Sequence, residues 1–202
     1  MSAVAEIGAR AVKELRELTG AGFMDCKRAL EEAGGDVQRA VVLLRERGLA
    51  AAAKKSGRDV REGLVASYIH TGGRVGVLIE VNCETDFVAR TDEFQRLVRE
   101  LAIQVAGLSP LYVDVADIPA AALEARKAEL RDDPALRGKP TEIQERIVEG
   151  QLKKWTREAC LLEQPFRDEE RSVRDLVTER IATIGENIVV RRFVRFALGE
   201  DL

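Results

Sequence analysis

Side chains able to act as nucleophiles or general bases near neutral pH are scarce in this chain, which has one histidine, His70, and three cysteines, Cys26, Cys83 and Cys160. A cysteine nucleophile needs a base within hydrogen-bond reach. His70 lies in the turn sequence His70-Thr71-Gly72-Gly73, whereas Cys83 follows the far end of the next alternating run, roughly 30 Å of strand away. The two are not expected to meet, and His70 reads as a solvated turn residue. The cysteines are odd in number and widely separated, without the close spacing of a zinc site, and read as reduced, buried thiols. No GxxxxGK[ST] loop, strand-linked GxGxxG, GxSxG elbow or HExxH helix occurs. Bond chemistry, a cofactor and a metal site are therefore not expected.

Two other stretches combine residue types suited to gripping a protein. In the first, Val12 to Lys27, Gly20 and Gly22 permit a tight turn that presents Phe23 and Met24 beside Lys13 and Arg16. A flexible methionine next to an aromatic suits an interaction surface. The same pair would equally serve as an apolar staple holding helices together. In the second, Glu80 to Arg90, the connection from a strand to an amphipathic helix carries Thr85, Asp86, Phe87 and Val88. Such a connection projects side chains from a fixed scaffold. No alternation buries Phe87 and Val88, yet Phe87 could also pack under the following helix.

The elements that must position these stretches follow from periodicity. Ala11, Leu15 and Leu18 recur at helical spacing up to the break at Thr19-Gly20-Ala21-Gly22. A second helix begins near Met24 or Asp25, carries Cys26, Ala29, Leu30 and Ala33 on one face, and stops at Gly34-Gly35. Asp36 caps a third, with Val37, Ala40, Val41 and Leu44 inward and Gly48 as its end. This triplet, residues 1–55, reads as a docking module, and residues 49–62 as a short helical extension and linker. Residues 56–202 read as an α+β core. Leu64 to His70 and Arg74 to Asn82 form a hairpin in which Val75, Val77, Ile79 and Val81 alternate. Phe94, Leu97, Val98, Leu101 and Val105 share a helix face behind a cap at Thr91 or Asp92. Helices over Ala120–Arg131 and from Pro140 to about Cys160 form a helical hairpin at about 119–160. Ser172 caps a helix with Val173, Leu176, Val177, Ile181 and Ile184 that ends at Gly185. Asn187 to Phe196 returns as a third strand beside the first two, since a lone hairpin is marginal in water.

With 46% apolar residues and a net charge of −3 the chain can bury a real core, and both signs of charge are mixed. Residues 1–58 hold 11 Lys/Arg and 8 Asp/Glu, too mild a polarity for a phosphate backbone. No direct nucleic-acid binding is expected. The apolar runs fall short of the roughly 20 residues that span a bilayer, and Met1 to Ile7 has no secretory pattern. The protein is expected in the cytoplasm, away from membranes.

VKELRELTGAGFMDCKRAL and EVNCETDFVAR, together with KPTEIQERIVEGQLKKW and GENIVVRRF, closely resemble the elongation factor Ts family over nearly the whole chain. The resemblance implies a ubiquitin-associated-like helical triplet that docks on the G domain of the GTPase elongation factor Tu, followed by an α+β core with a small antiparallel sheet of about three strands. It implies guanine-nucleotide exchange: the factor binds the GDP form, displaces Mg²⁺, promotes GDP release and stays bound until GTP arrives. By position, docking falls on Lys13, Arg16, Phe23 and Met24, and Mg²⁺ displacement on Thr85, Asp86, Phe87 and Val88. Phe23 stands where the family often has methionine. Longer members carry two related halves in the core, and only one half is visible here, which by analogy implies a homodimer engaging two GTPases. The alternatives are an adaptor whose triplet binds ubiquitin-like ligands and, more remotely, a small thiol enzyme.

Overall fold

The structure, a computed structural model, describes residues 8–200, with only the backbone of residues 168–170; the stretch Met1 to Ile7 read for a secretory signal lies outside it. Helix α1 (Ala9–Thr19) ends where Gly20 takes φ 67° and donates its N–H to the Arg16 carbonyl at 2.8 Å, a left-handed cap that costs glycine little. The Thr19 hydroxyl donates to the Leu15 carbonyl and accepts the Ala21 N–H, so the corner is fixed before α2 (Phe23–Glu32) begins. Asp36 caps α3 (Val37–Lys55) by accepting the Arg39 N–H at 3.1 Å. Val12, Leu15, Cys26, Ala29, Leu30, Ala33 and Ala40 form the core of this triplet. Val12 takes the inward place expected of Leu18, which is 64% exposed.

Gly48 does not end the third helix. The helix runs through it to Lys55, because the Ala-rich segment after it has high helix propensity and outweighs a single glycine's cost of about 1 kcal/mol. That glycine lies against α8 (Val173–Ile184), where a methyl group at position 48 would sit 3.4 Å from the Ala182 Cβ.

The rest of the chain is strand β1 (Glu62–Ile69), β2 (Val75–Cys83), a one-turn helix α4 (Asp86–Ala89), α5 (Asp92–Leu108), α6 (Ala120–Arg131), α7 (Thr141–Ala159), β3 (Pro165–Phe166), β4 (Asp168–Ser172), α8 and β5 (Ile188–Ala197). The class is α+β, as the periodicity predicts, and the last strand joins the early hairpin in an antiparallel sheet of order β1-β2-β5. Gly63 on β1 has φ +143°, and a Cβ there would stand 2.2 Å from the Val81 carbonyl oxygen.

Two compact units divide the chain. The first contains the chain up to Leu64, with Val81–Leu97 and Asp175–Val189. In it Arg45 pairs with Asp175 at 3.2 Å, and Glu93 accepts from Arg180 and Thr183 at 3.3 and 3.1 Å. The second contains Val65–Glu80, Val98–Arg174 and the chain from Val190. Here α6 and α7 fold back on each other around a small core of Leu130, Leu136 and Val148. The buried Gln164 donates to the Leu108 and Glu158 carbonyls and accepts from Gln104, which meets the cost of enclosing an amide. The short β3–β4 hairpin carries no periodic signal in the sequence.

These glycines make a paired prediction. Gly48→Ala should raise stability by roughly 0.5–1 kcal/mol, because the helix gains propensity and the new methyl meets Ala182 at ordinary contact distance. Gly63→Ala should lower it by more than about 2 kcal/mol, because the backbone must move away from Val81. Urea unfolding midpoints of the two variants check both signs.

Candidate functional site

The strand-to-helix connection after β2 is built from local hydrogen bonds. Thr85 is extended (φ −129°, ψ 152°), and its hydroxyl accepts the Val88 N–H at 3.4 Å. Its carbonyl accepts the Ala89 N–H at 3.3 Å and the Cys83 thiol at 3.2 Å. Thr91 then repeats the device for α5: its hydroxyl donates to the Val88 carbonyl and accepts the Phe94 N–H. Two caps six residues apart therefore enclose the single turn α4.

Within that turn the four residues expected at the surface separate. Thr85 and Asp86 are exposed and Phe87 is 76% exposed, whereas Val88 is buried with Ala89. Phe87 does not pack under α5; Phe94 and Leu97, each at 0% exposure, fill that place. Val88 points inward because one helical turn has two sides, and its neighbour Phe87 takes the outer one. Phe87 thus leaves most of an aromatic ring in water on a capped turn. Asp86 beside it pairs with Arg90 at 2.8 Å, both side chains well exposed.

Two carboxylates absent from the sequence-level site hold this turn from outside. Glu186 accepts the backbone N–H groups of Glu84 and Thr85 at 3.1 and 3.0 Å and the Thr85 hydroxyl at 2.7 Å. In return Glu84 accepts the Asn187 N–H at 2.7 Å, and its carboxylate also faces Arg58 at 3.3 Å. The buried Asn187 side chain donates to the Ser56 and Arg58 carbonyls at 3.4 and 3.0 Å. No periodicity marks Glu84 or Glu186, because their partners lie about a hundred residues away. Their one sequence signal is membership of the EVNCETDFVAR and GENIVVRRF stretches.

The other stretch lies in the same compact unit. Lys13 and Arg16 are exposed on α1, Lys13 beside Glu17 at 3.7 Å. Phe23 (49% exposed) and Met24 (58%) open α2 with their side chains outward, so they do not staple the triplet. With Leu18 they place three large apolar residues at the α1–α2 corner.

His70 is exposed in the hairpin turn with its Nδ1 3.0 Å from the Tyr68 hydroxyl. All three cysteines are buried free thiols. Burial pushes the Cys83 thiol up to about 11, with the Glu186 carboxylate adding to the shift. Burial, then Asp114 and Glu163, does the same to Cys160, also to about 11, and burial raises Cys26. Such thiols are poor nucleophiles near neutral pH. Among the described residues no group of three or more His, Cys, Asp or Glu side chains is placed to hold a metal ion, and no helix is long and apolar enough to cross a membrane.

An α+β chain with an exposed aromatic on a clasped turn and an apolar corner on a helical triplet presents surfaces of the kind that protein partners cover. Residues 50–200 match the family model described as elongation factor TS. The chain is 57% identical over 197 residues to elongation factor Ts of Thermoanaerobacter sp., covering 97% of both chains. It is 55% identical over 196 residues to elongation factor Ts of Coprothermobacter proteolyticus, covering 96% of this chain and all of the relative. The longer elongation factor Ts of Thermosynechococcus vestitus is 55% identical over 201 residues, which cover 98% of this chain and 68% of that one. The chain belongs to the elongation factor Ts family.

The thiols set a pH limit on this fold. A thiol whose folded pKa is raised binds its proton more tightly in the native state, so its contribution to stability is complete below the unfolded value of about 8.5–9 and is lost as pH rises toward about 11. The urea midpoint should be flat from pH 7 to 8.5 and fall between pH 9 and 11. Iodoacetamide at pH 8 should label none of the three cysteines quickly until denaturant is added.

Proposed function

We infer that Asp86 and Phe87 are the lever by which this chain promotes guanine-nucleotide exchange on elongation factor Tu in translation elongation. The exchange role is that of its family. Exchange makes and breaks no covalent bond. The factor binds the GDP form of the GTPase and weakens its nucleotide, and by linkage the nucleotide weakens the factor in the same ratio.

The observation that carries this reading is a phenylalanine 76% exposed on a turn capped at both ends. Inserted between helices of the partner's G domain, Phe87 would be buried in the complex. Asp86, with Thr85 setting the turn and Val88 anchoring it, would draw on a polar group or helix end there. Mg²⁺ is a sensitive target, because its near-octahedral geometry makes a small displacement of its ligands costly. GDP then leaves, and the factor stays on the GTPase until GTP binds.

Magnitudes require a second contact. A coupling of about 10⁴-fold needs about 5.5 kcal/mol, and burying one phenylalanine supplies only about 1.5–3 kcal/mol. The remainder falls to residues 1–55 as a ubiquitin-associated-like docking module, with Lys13 and Arg16 supplying charge and Phe23 and Met24 apolar contact. Residues 56–202 serve as core and dimerisation domain. A second copy of the chain gives a 2:2 assembly with the GTPase, supported by an apolar sheet face on which Val65 and Ile69 of β1, Leu78 of β2, and Val194 and Phe196 of β5 are exposed. The factor acts in the cytoplasm, without direct contact to nucleic acid or membrane.

Release of fluorescent GDP from elongation factor Tu tests the division of labour. Phe87→Ala should lower the release rate at saturating factor by about tenfold or more, matching the lost apolar burial, and weaken docking less. Lys13→Glu or Arg16→Glu should raise the half-saturating concentration severalfold and leave the saturating rate nearly intact. An unchanged saturating rate for Phe87→Ala would overturn the lever assignment. For the dimer, Leu78→Glu should halve the mass seen by sedimentation equilibrium; an unchanged mass overturns the sheet-face assignment.

A further inference from the structure

We propose that Glu186 is a positioning residue for exchange, holding the turn that aims Phe87; this rests on the reading of Phe87 as the lever. The exposed Phe87 ring gains little orientation from packing within the chain, so its direction is set chiefly by the backbone of Glu84 to Arg90. A turn of four residues is not self-supporting, because helix nucleation fixes several dihedrals for one hydrogen bond. The Thr85 hydroxyl caps it from within, and the Asp86–Arg90 pair is too exposed to add much order.

Glu186 supplies the missing constraint. One carboxylate takes two consecutive backbone N–H groups and the Thr85 hydroxyl, three bonds strengthened by its charge. Its own place is fixed on both sides. Gly185, at φ 90°, ends α8 immediately before it, and the buried Asn187 immediately after it is bonded to Glu84, Ser56 and Arg58. The lever is therefore tied at one point to the end of α8 and to the chain just beyond α3, which is the last helix of the docking triplet. Load taken up by the triplet reaches Phe87 through a bonded path instead of a free loop.

The test uses the full chain and elongation factor Tu loaded with fluorescent GDP. Release is measured over a range of factor concentration for the parent, Glu186→Gln, Glu186→Ala, Phe87→Ala and the double variant Phe87→Ala/Glu186→Ala. Glu186→Ala should lower the saturating release rate about tenfold, and Glu186→Gln, which keeps one acceptor oxygen, by a smaller factor. The half-saturating concentration should stay within about twofold, because the α1–α2 corner is untouched. Amide exchange of residues 84–90 should accelerate in both Glu186 variants. In the Phe87→Ala background the alanine at 186 should add less than about a twofold loss, as expected for two residues acting as one unit.

Three results overturn the proposal: a parental saturating rate in Glu186→Ala and Glu186→Gln despite lowered melting temperatures, a loss that multiplies in full onto Phe87→Ala, or unchanged amide exchange at residues 84–90. If Glu186→Ala does not fold, Glu186→Gln decides by its saturating rate and amide exchange. An unchanged rate in Phe87→Ala identifies failure of the lever reading itself, and this inference falls with it.

Discussion

Backbone N–H groups that leave a sheet before a helix has begun have no ladder and no helical partner, and water is not always available to them. In this chain Glu84 and Thr85 stand at such a gap, and a carboxylate 102 positions away from Glu84 closes it. The exchange is mutual, since Glu84 in turn accepts the N–H of Asn187. Much that is distinctive about the site depends on this reciprocity. With the gap closed, Thr85 can act as a cap and Val88 and Ala89 can turn inward, which leaves Phe87 on the outside. Polar bonds made two and three residues before it fix the backbone from which the exposed ring stands.

The same reciprocity explains which parts of the molecule were legible in the sequence. Elements whose bonds are local are legible in the sequence. The helix over Ala120–Arg131 has the predicted bounds, the strict alternation of Val75 to Val81 became β2, and Asp36 caps the third helix as its position predicts. Failures arose where one local rule met a stronger one. Gly48 has the residue type of a stop, but the alanines beyond it carry the helix on to Lys55. Leu18 had the right spacing for the core, yet Val12 occupies that face.

At the site the limit was different in kind. A single helical turn is too short to show a period, so periodicity does not separate Phe87 from Val88; only the fold, which buries Val88 and exposes Phe87, does. Glu186 was invisible for a topological reason: its role exists only after the end of α8 has come back beside the end of β2. The family resemblance points to the turn that carries Phe87 and to the α1–α2 corner. That the stretches holding Glu84 and Glu186 clasp each other emerges only from the hydrogen-bond geometry.

The α6–α7 hairpin has the opposite character. Its apolar residues close on one another around Leu130, Leu136 and Val148, and its tip at Gly138, with φ +80°, has nothing within 4 Å of where a side chain would start. A segment that carries its own small core tolerates changes in length at its tip, because loop closure costs grow slowly with added residues. The turn between Arg137 and Lys139 is accordingly a natural place to graft a fluorophore or an affinity handle, giving a reporter for assembly whose disturbance is confined to the hairpin that bears it.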